Sequence, residues 1–253
     1  MKIGILTDNF SKLNHITRKL KNAEFNLKHL KKIPAIDHEI DVLVTDEIVK
    51  NCLTPHVVPG NLEILELKIR CAFYQKNRLT VGIDPGGICG LVALANKQLL
   101  FNKEFDNIDS MVNVISSIDN EIGLQNVKIG LGSPPIRNQI VNSLRNYKSI
   151  IQFIDEKRSG SGSHIQAAIR IASRLPEANQ PDDYSPKDGE IAWIQKQSRR
   201  LSKGLITIDK ETANSILLGE MSMEESDNGY HIDHVISYEN KCKRKLGKKW
   251  SNS

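Results

Sequence analysis

Four acids stand where a phosphodiester-cleaving metal site would need them. Asp84 closes the apolar run from Leu79 to Ile83 and is followed at once by Pro85, Gly86 and Gly87. Asp155 and Glu156 close a second apolar run at 150–154, and Asp188 lies near the start of a late helical segment. Carboxylates gathered in one place raise each other's pKa unless a cation sits between them. Mg2+ suits such a place, because it takes oxygen ligands and keeps several waters. Two such ions about 4 Å apart can activate a water and stabilise the leaving oxygen of a phosphodiester. The glycines beside Asp84 leave the main chain bare, so a phosphate or metal can approach it closely.

Each acid also has an ordinary structural role. Asp before Pro-Gly is common turn composition. Asp155-Glu156 serves equally well as a solvated strand end. An acid in the first turn of a helix gains roughly 0.3–1 kcal/mol from the positive helix terminus. What favours a site is that the acids end separate elements which a fold can bring to one edge.

Those elements are legible in outline. Residues 79–84 alternate as a half-buried strand, and 88–95 and 98–105 follow after short turns, which makes an antiparallel meander. A helix is expected at 108–122, a strand at 127–131, a helix at 136–147 after Pro134-Pro135, and a strand at 150–154. Three strands, helix, strand, helix, strand implies an antiparallel edge joined to parallel strands by crossovers. The loop Lys157-Arg-Ser-Gly-Ser-Gly-Ser163 is rich in small residues, and a helix is expected at 164–175. Ser185 and Pro186 suit the N-cap and first position of a helix running to about 203. A further helix lies within 207–223.

Residues 1–76 read as a separate small α/β unit with strands at 2–7, 25–30 and 40–45 and helices at 9–20 and about 62–74. Alternating strands and helices imply a small parallel sheet. Asp8 and Asp46 follow strands, where open sheets often bind ligands. No glycine-rich loop accompanies them, so both are expected to be caps.

Composition bounds the function. The 253 residues are 39% hydrophobic, enough for a sizeable core. No apolar run approaches the ~20 residues of a membrane span, and the N-terminus reads as a strand rather than a signal sequence. Cys52, Cys71, Cys89 and Cys242 have neither zinc-site spacing nor a disulfide framework, which points to a reducing cytoplasm. The net charge of +5 is uneven: 241–253 holds six basic residues and no acid, leaving the rest at −1. Such a tail, with Lys243, Arg244 and Lys245 at its centre, is either a phosphate contact or a solvated terminus.

Several segments resemble the RuvC/YqgF-type resolvases of the RNase H-like superfamily. Val81-Gly-Ile-Asp-Pro-Gly-Gly-x-x-Gly90 resembles their first motif. Ile129-Gly-Leu-Gly-Ser-Pro134 is similar to the Gly-Leu-Pro strand end of the YqgF branch, and Phe153-Ile-Asp-Glu-Lys-Arg-Ser159 to its Val-Asp-Glu-Arg-x-Thr motif. Asp188-Gly-Glu-Ile-Ala192 is similar to its closing Asp-x-x-x-Ala helix. The resemblance covers roughly 79–203. It implies an α/β fold with an RNase H-like mixed five-stranded sheet flanked by helices, here preceded by the small α/β domain and followed by a helical extension at 204–240 and the basic tail at 241–253. It implies Mg2+-dependent (or Mn2+-dependent) cleavage of branched DNA or structured RNA.

Carried over, Asp84, Glu156 and Asp188 would hold the metal and Asp155 would assist. Gly86, Gly87, Lys157, Arg158 and Ser159 would face phosphate. A homodimer would meet the two scissile strands of a four-way junction. The chain departs from the pattern in two places: Gly132 and Ser133 stand where the RuvC branch ends its fourth strand with an acid, and Lys157 interrupts the Glu-Arg pair. One rival is an inactive RNase H-like module that binds nucleic acid or protein. Another is a nucleotide-binding protein of the actin and sugar-kinase class, which needs a second glycine-rich hairpin that the sequence does not contain.

Overall fold

The computed structural model describes residues 1–32, 39–50, 52–155, 162–176, 185–221 and 223. The chain divides into two compact units, one of Met1–Gly132 with Asn146–Gln180 and one of Ser133–Arg145 with Pro181–Ser253. Its class is mixed α/β, and no described helix is long and apolar enough to cross a membrane.

The first unit opens with β1 (Lys2–Leu6), α1 (Phe10–Leu20), β2 (Asn26–Leu30), β3 (Val42–Thr45), β4 (His56–Val57) and α2 (Leu65–Phe73). The four strands form a parallel sheet in the order β2-β1-β3-β4. Ile3 and Ile5 alternate along β1, as Val42 and Val44 do along β3, and these pack with Ile16, Leu20, Leu65 and Ile69 of the two helices. Alternation along a strand and three- to four-residue spacing along a helix put these side chains on facing surfaces.

The caps differ from the sequence expectation. Asn9, not Asp8, accepts the α1 N–H of Lys12. Asp46 caps no helix: its carboxylate accepts from Thr7 Oγ1 at 2.6 Å and Lys12 Nζ at 2.9 Å. Those two bonds, the Thr7 one foremost, hold its pKa below the ordinary carboxylate value.

The same unit continues with β5 (Leu79–Asp84), β6 (Cys89–Ala95), β7 (Gln98–Phe105), α3 (Ile108–Glu121) and β8 (Leu124–Gly130). After α4 (Pro134–Ser143), which belongs to the second unit, come β9 (Ile151–Ile154) and α5 (His164–Ser173). The five strands form one mixed sheet in the order β7-β6-β5-β8-β9. β5, β6 and β7 are antiparallel neighbours, whereas β8 and β9 run parallel to β5. Asn96 and Lys97 both take left-handed backbone angles, as a two-residue hairpin between right-twisted strands requires.

Every residue of β6 is buried, so both faces of the sheet are covered there. One cover is α5, whose Ala168 and Ala172 pack on Val92 and Leu94.

Glu63 ties the two sheets of this unit together. Its carboxylate accepts from Lys103 Nζ on β7 at 2.5 Å and from Lys19 Nζ on α1 at 2.8 Å, which lowers its pKa from 4.5 to about 2. A depressed acid contributes stability above its unfolded pKa and loses it as pH falls through the folded value. The side chain is partly exposed, so solvent screening limits the contribution to about 0.2–1 kcal/mol. Glu63→Gln is therefore expected to be less stable than wild type at pH 6 and to converge with it between pH 4.5 and about 2, as urea titrations at stepped pH would read.

In the second unit α4 packs beside α7 (Lys210–Leu218), which packs on α6 (Asp188–Leu201). Ile194, Ile206, Ile208, Ala213, Ile216 and Leu217 form its core. α6 begins later than Ser185 and Pro186 suggested: Lys187 is its N-cap, and the Lys187 N–H donates to Glu190 Oε2 at 2.9 Å.

Candidate functional site

Asp84 is the last residue of β5, where the strand leaves the sheet at its carboxyl edge. Its carboxylate is only 13% exposed. His164, the first residue of α5, places Nδ1 3.0 Å from Asp84 Oδ2, the distance of a charge-assisted hydrogen bond. An ionised carboxylate only accepts, so in this contact the imidazole donates from Nδ1.

His164 was not among the candidates from sequence. The pair is separated by 80 positions, and no local pattern reports it. The one available signal was its place at a helix start after a small-residue loop leaving a strand end.

Four glycines around Asp84 do different work. A Cβ on Gly90 would lie 2.3 Å from the His164 carbonyl oxygen, and one on Gly82 would lie 2.5 Å from the Ala168 carbonyl oxygen. These two let α5 lie directly on β5 and β6 and so set the His164–Asp84 contact. At Gly87 an added Cβ would meet nothing within 4 Å, so this part of the loop leaves its main chain open. Gly86 is tighter, with the Ile88 carbonyl oxygen 3.0 Å from where its Cβ would stand. Neither Gly86 nor Gly87 has positive φ, so what matters here is the missing side chain.

Cys89 Sγ donates to the Gly86 carbonyl at 3.4 Å and closes the loop from below. Burial, with a smaller effect from the Asp84 charge, pushes its thiol pKa up. It is a structural thiol, since the reactive form is the thiolate.

The parallel partners of β5 end on the same edge. β9 ends at Ile154, immediately before Asp155, whose carbonyl accepts from Arg174 Nη1 at 2.7 Å. β9 does not adjoin β5: β8 lies between them, so the two strand axes are about 10 Å apart at the usual spacing. The acids at these tips are separated by one strand, a gap that side chains and hydrated ions can span but a direct carboxylate pair cannot. β8 itself ends at Gly130 and contributes no acid there.

Lys128 on β8 supports the arrangement from beneath. It is buried, and its Nζ donates to the carbonyls of Ala172 at 3.0 Å and Arg174 at 2.5 Å, at the end of α5. Burial lowers its pKa.

Glu156, Lys157, Arg158, Ser159, Lys243, Arg244 and Lys245 lie outside the described residues. Asp188 belongs to the second unit, is the first residue of α6, is exposed, and stands 3.9 Å from Lys210 Nζ. Among the described residues no three His, Cys, Asp or Glu side chains are close enough to hold a metal. The donor chemistry at Asp84 still fits a hydrated hard cation, which needs only one or two protein carboxylates and keeps its waters. Asp84 would supply one.

A protein-family model described as a three helical bundle domain matches residues 187–227, which span α6 and α7 and thus a minor part of the chain. No curated protein and no solved structure matches the chain.

Proposed function

We propose that the five-stranded sheet is the RNase H-like core of a Mg2+-dependent (or Mn2+-dependent) nuclease that hydrolyses phosphodiesters in branched DNA or structured RNA. The observation that carries this reading is the place of Asp84. It sits half-enclosed at the carboxyl end of β5, on the edge where β9 leads into Asp155 and Glu156. Asp84 and Glu156 would hold the ion with Asp155 assisting. Mg2+ bound there would lower the pKa of a water and neutralise charge developing on the phosphate.

His164 holds the Asp84 carboxylate through Oδ2, and the other oxygen would be the one to hold an ion. The open main chain at Gly87, with Gly86 beside it, leaves room for a phosphate; Lys157, Arg158 and Ser159 would bind its oxygens, and Lys243, Arg244 and Lys245 would contact the strand outside the site. A homodimer in the cytoplasm would supply two such centres.

A catalytically inactive RNase H-like module that binds nucleic acid or protein is the second reading. One observation favours it: β8 ends with no acid, and Gly132 and Ser133 follow.

The test uses the full chain with Mg2+ and two substrates, a four-way DNA junction and a structured RNA. Asp84→Asn preserves shape and a polar contact to His164. Cleavage by this variant should fall on the order of 10²–10³-fold, as when one group stabilising transition-state charge is removed. The unfolding midpoint should stay near wild type. Equal cleavage by both proteins would rule the reading out, and cleavage by neither would leave the binding module as the better account.

A further inference from the structure

The exposed face of α6 carries a feature that the metal site does not use. From Ile191 to Ile208 the chain contains Lys196, Arg199, Arg200 and Lys203 and no acid. All four cations are exposed, and none is in an ion pair among the described residues. Trp193 lies on the same stretch and is 47% exposed. Lys196 and Arg200 lie three and seven residues from Trp193, and Arg199 lies three from Lys196, which gathers these side chains on one helical face. The opposite face, through Ile194 and Ser198, is buried. Leu201 and Leu205 are exposed at the same end.

Beyond its first turn, where Asp188 and Glu190 stand, the exposed charges of α6 are all cations, and they surround a half-exposed indole. Burying such a ring is strongly favourable, and a Trp left half-exposed among cations presents a flat apolar surface within a positive field. That pairing matches an unpaired nucleobase next to its phosphates: the base stacks on the ring and the backbone meets the cations.

We infer that this face of α6, with the turn that follows it, is a binding surface for single-stranded nucleic acid, with Trp193 as the stacking platform, Lys196, Arg199 and Arg200 of the helix as phosphate contacts and Lys203 of the turn as a fourth. It places a strand contact on the helical unit, separate from the sheet that carries Asp84. DNA and RNA share the stacking and phosphate chemistry, and the probes below distinguish them.

The experiment uses the full chain in a Trp250→Phe background, where Trp193 is the single indole. Oligo(dT) and oligo(rU) should each quench its emission on binding. Trp193→Leu should weaken binding about five- to hundredfold, and Trp193→Phe should keep most of it. Changing all four cations to Gln should weaken binding at least tenfold and flatten the dependence of log K on log salt by about 2–3. Thermal melting of each variant shows that these exposed positions leave the fold intact. Unchanged emission with both oligomers, or an unchanged salt slope in the four-Gln variant, overturns the inference. So does retention of poly-glutamate without any oligonucleotide effect, which would make this a surface for an acidic protein. Cleavage by the Trp193→Leu and four-Gln variants is measured beside their oligomer binding, so the failure of catalysis and the failure of this surface are read separately.

Discussion

Gly82→Ala is expected to destabilise the first unit by about 1–3 kcal/mol, the usual range for overpacking a filled interior, and Gly82→Val by more. The new Cβ would stand 2.5 Å from the Ala168 carbonyl oxygen, 2.6 Å from Ala172 Cβ and 2.9 Å from the Ala172 nitrogen. Two of those three atoms are main chain, which cannot rotate aside as the end of a long side chain can. The remaining response is for α5 to lift from β5. That costs the packing of Ala168 and Ala172 on Val92 and Leu94, and it draws His164 away from Asp84. The control is Gly87→Ala, where nothing lies within 4 Å of the added atom and the change should stay within about 0.5 kcal/mol. Denaturant unfolding of both variants makes the comparison. A Gly82→Ala protein as stable as the Gly87→Ala protein would show that α5 is not seated as tightly as these distances require.

Lys128→Met is expected to cost about 2–4 kcal/mol, because it leaves the buried carbonyls of Ala172 and Arg174 without their donor, at ~1–3 kcal/mol for each orphaned group. Helix carbonyls in the last turn have no intrahelical partner, and here a lysine from a neighbouring strand supplies one. Met keeps the length and the apolar stem, so the loss isolates the ammonium.

The pH dependence has a definite sign. Burial lowers the folded pKa below 10.5, so between the folded and unfolded values the unfolded chain binds more protons. Stability from this group therefore rises with pH across that window. The gap between wild type and Lys128→Met should widen as pH rises toward 10.5. A narrowing gap would mean that the charge itself, rather than donation to the two carbonyls, is what the site requires.

Both predictions concern contacts that the sequence did not disclose, while the elements making them were largely visible. Alternation in 79–84 and the turn residues Asn96-Lys97 yield β5, β6 and β7 at nearly the observed bounds. The strand expected at 127–131 begins earlier, at Leu124, because its polar start is held by pairing Leu79 with Leu124 and Thr80 with Asn126 rather than by its own pattern. The cap of α1 was placed one residue early and that of α6 two residues early. Asp8, Ser185 and Pro186 all have the right composition, and only the local hydrogen bonds choose among neighbouring candidates. The short strand β4 was missed, since its two residues carry no period.

By itself the sequence determined the classes and order of the elements, the acid at the end of β5, and the bare glycine backbone that follows it. These follow from side-chain periodicity and turn chemistry, which act over a few residues. Tertiary structure alone decided that β8 lies between β5 and β9, that Gly82 and Gly90 admit a helix rather than a ligand, and that His164 meets Asp84. Such contacts arise when distant segments cover one another's apolar faces, and the polar groups brought together in that way leave no trace in local spacing.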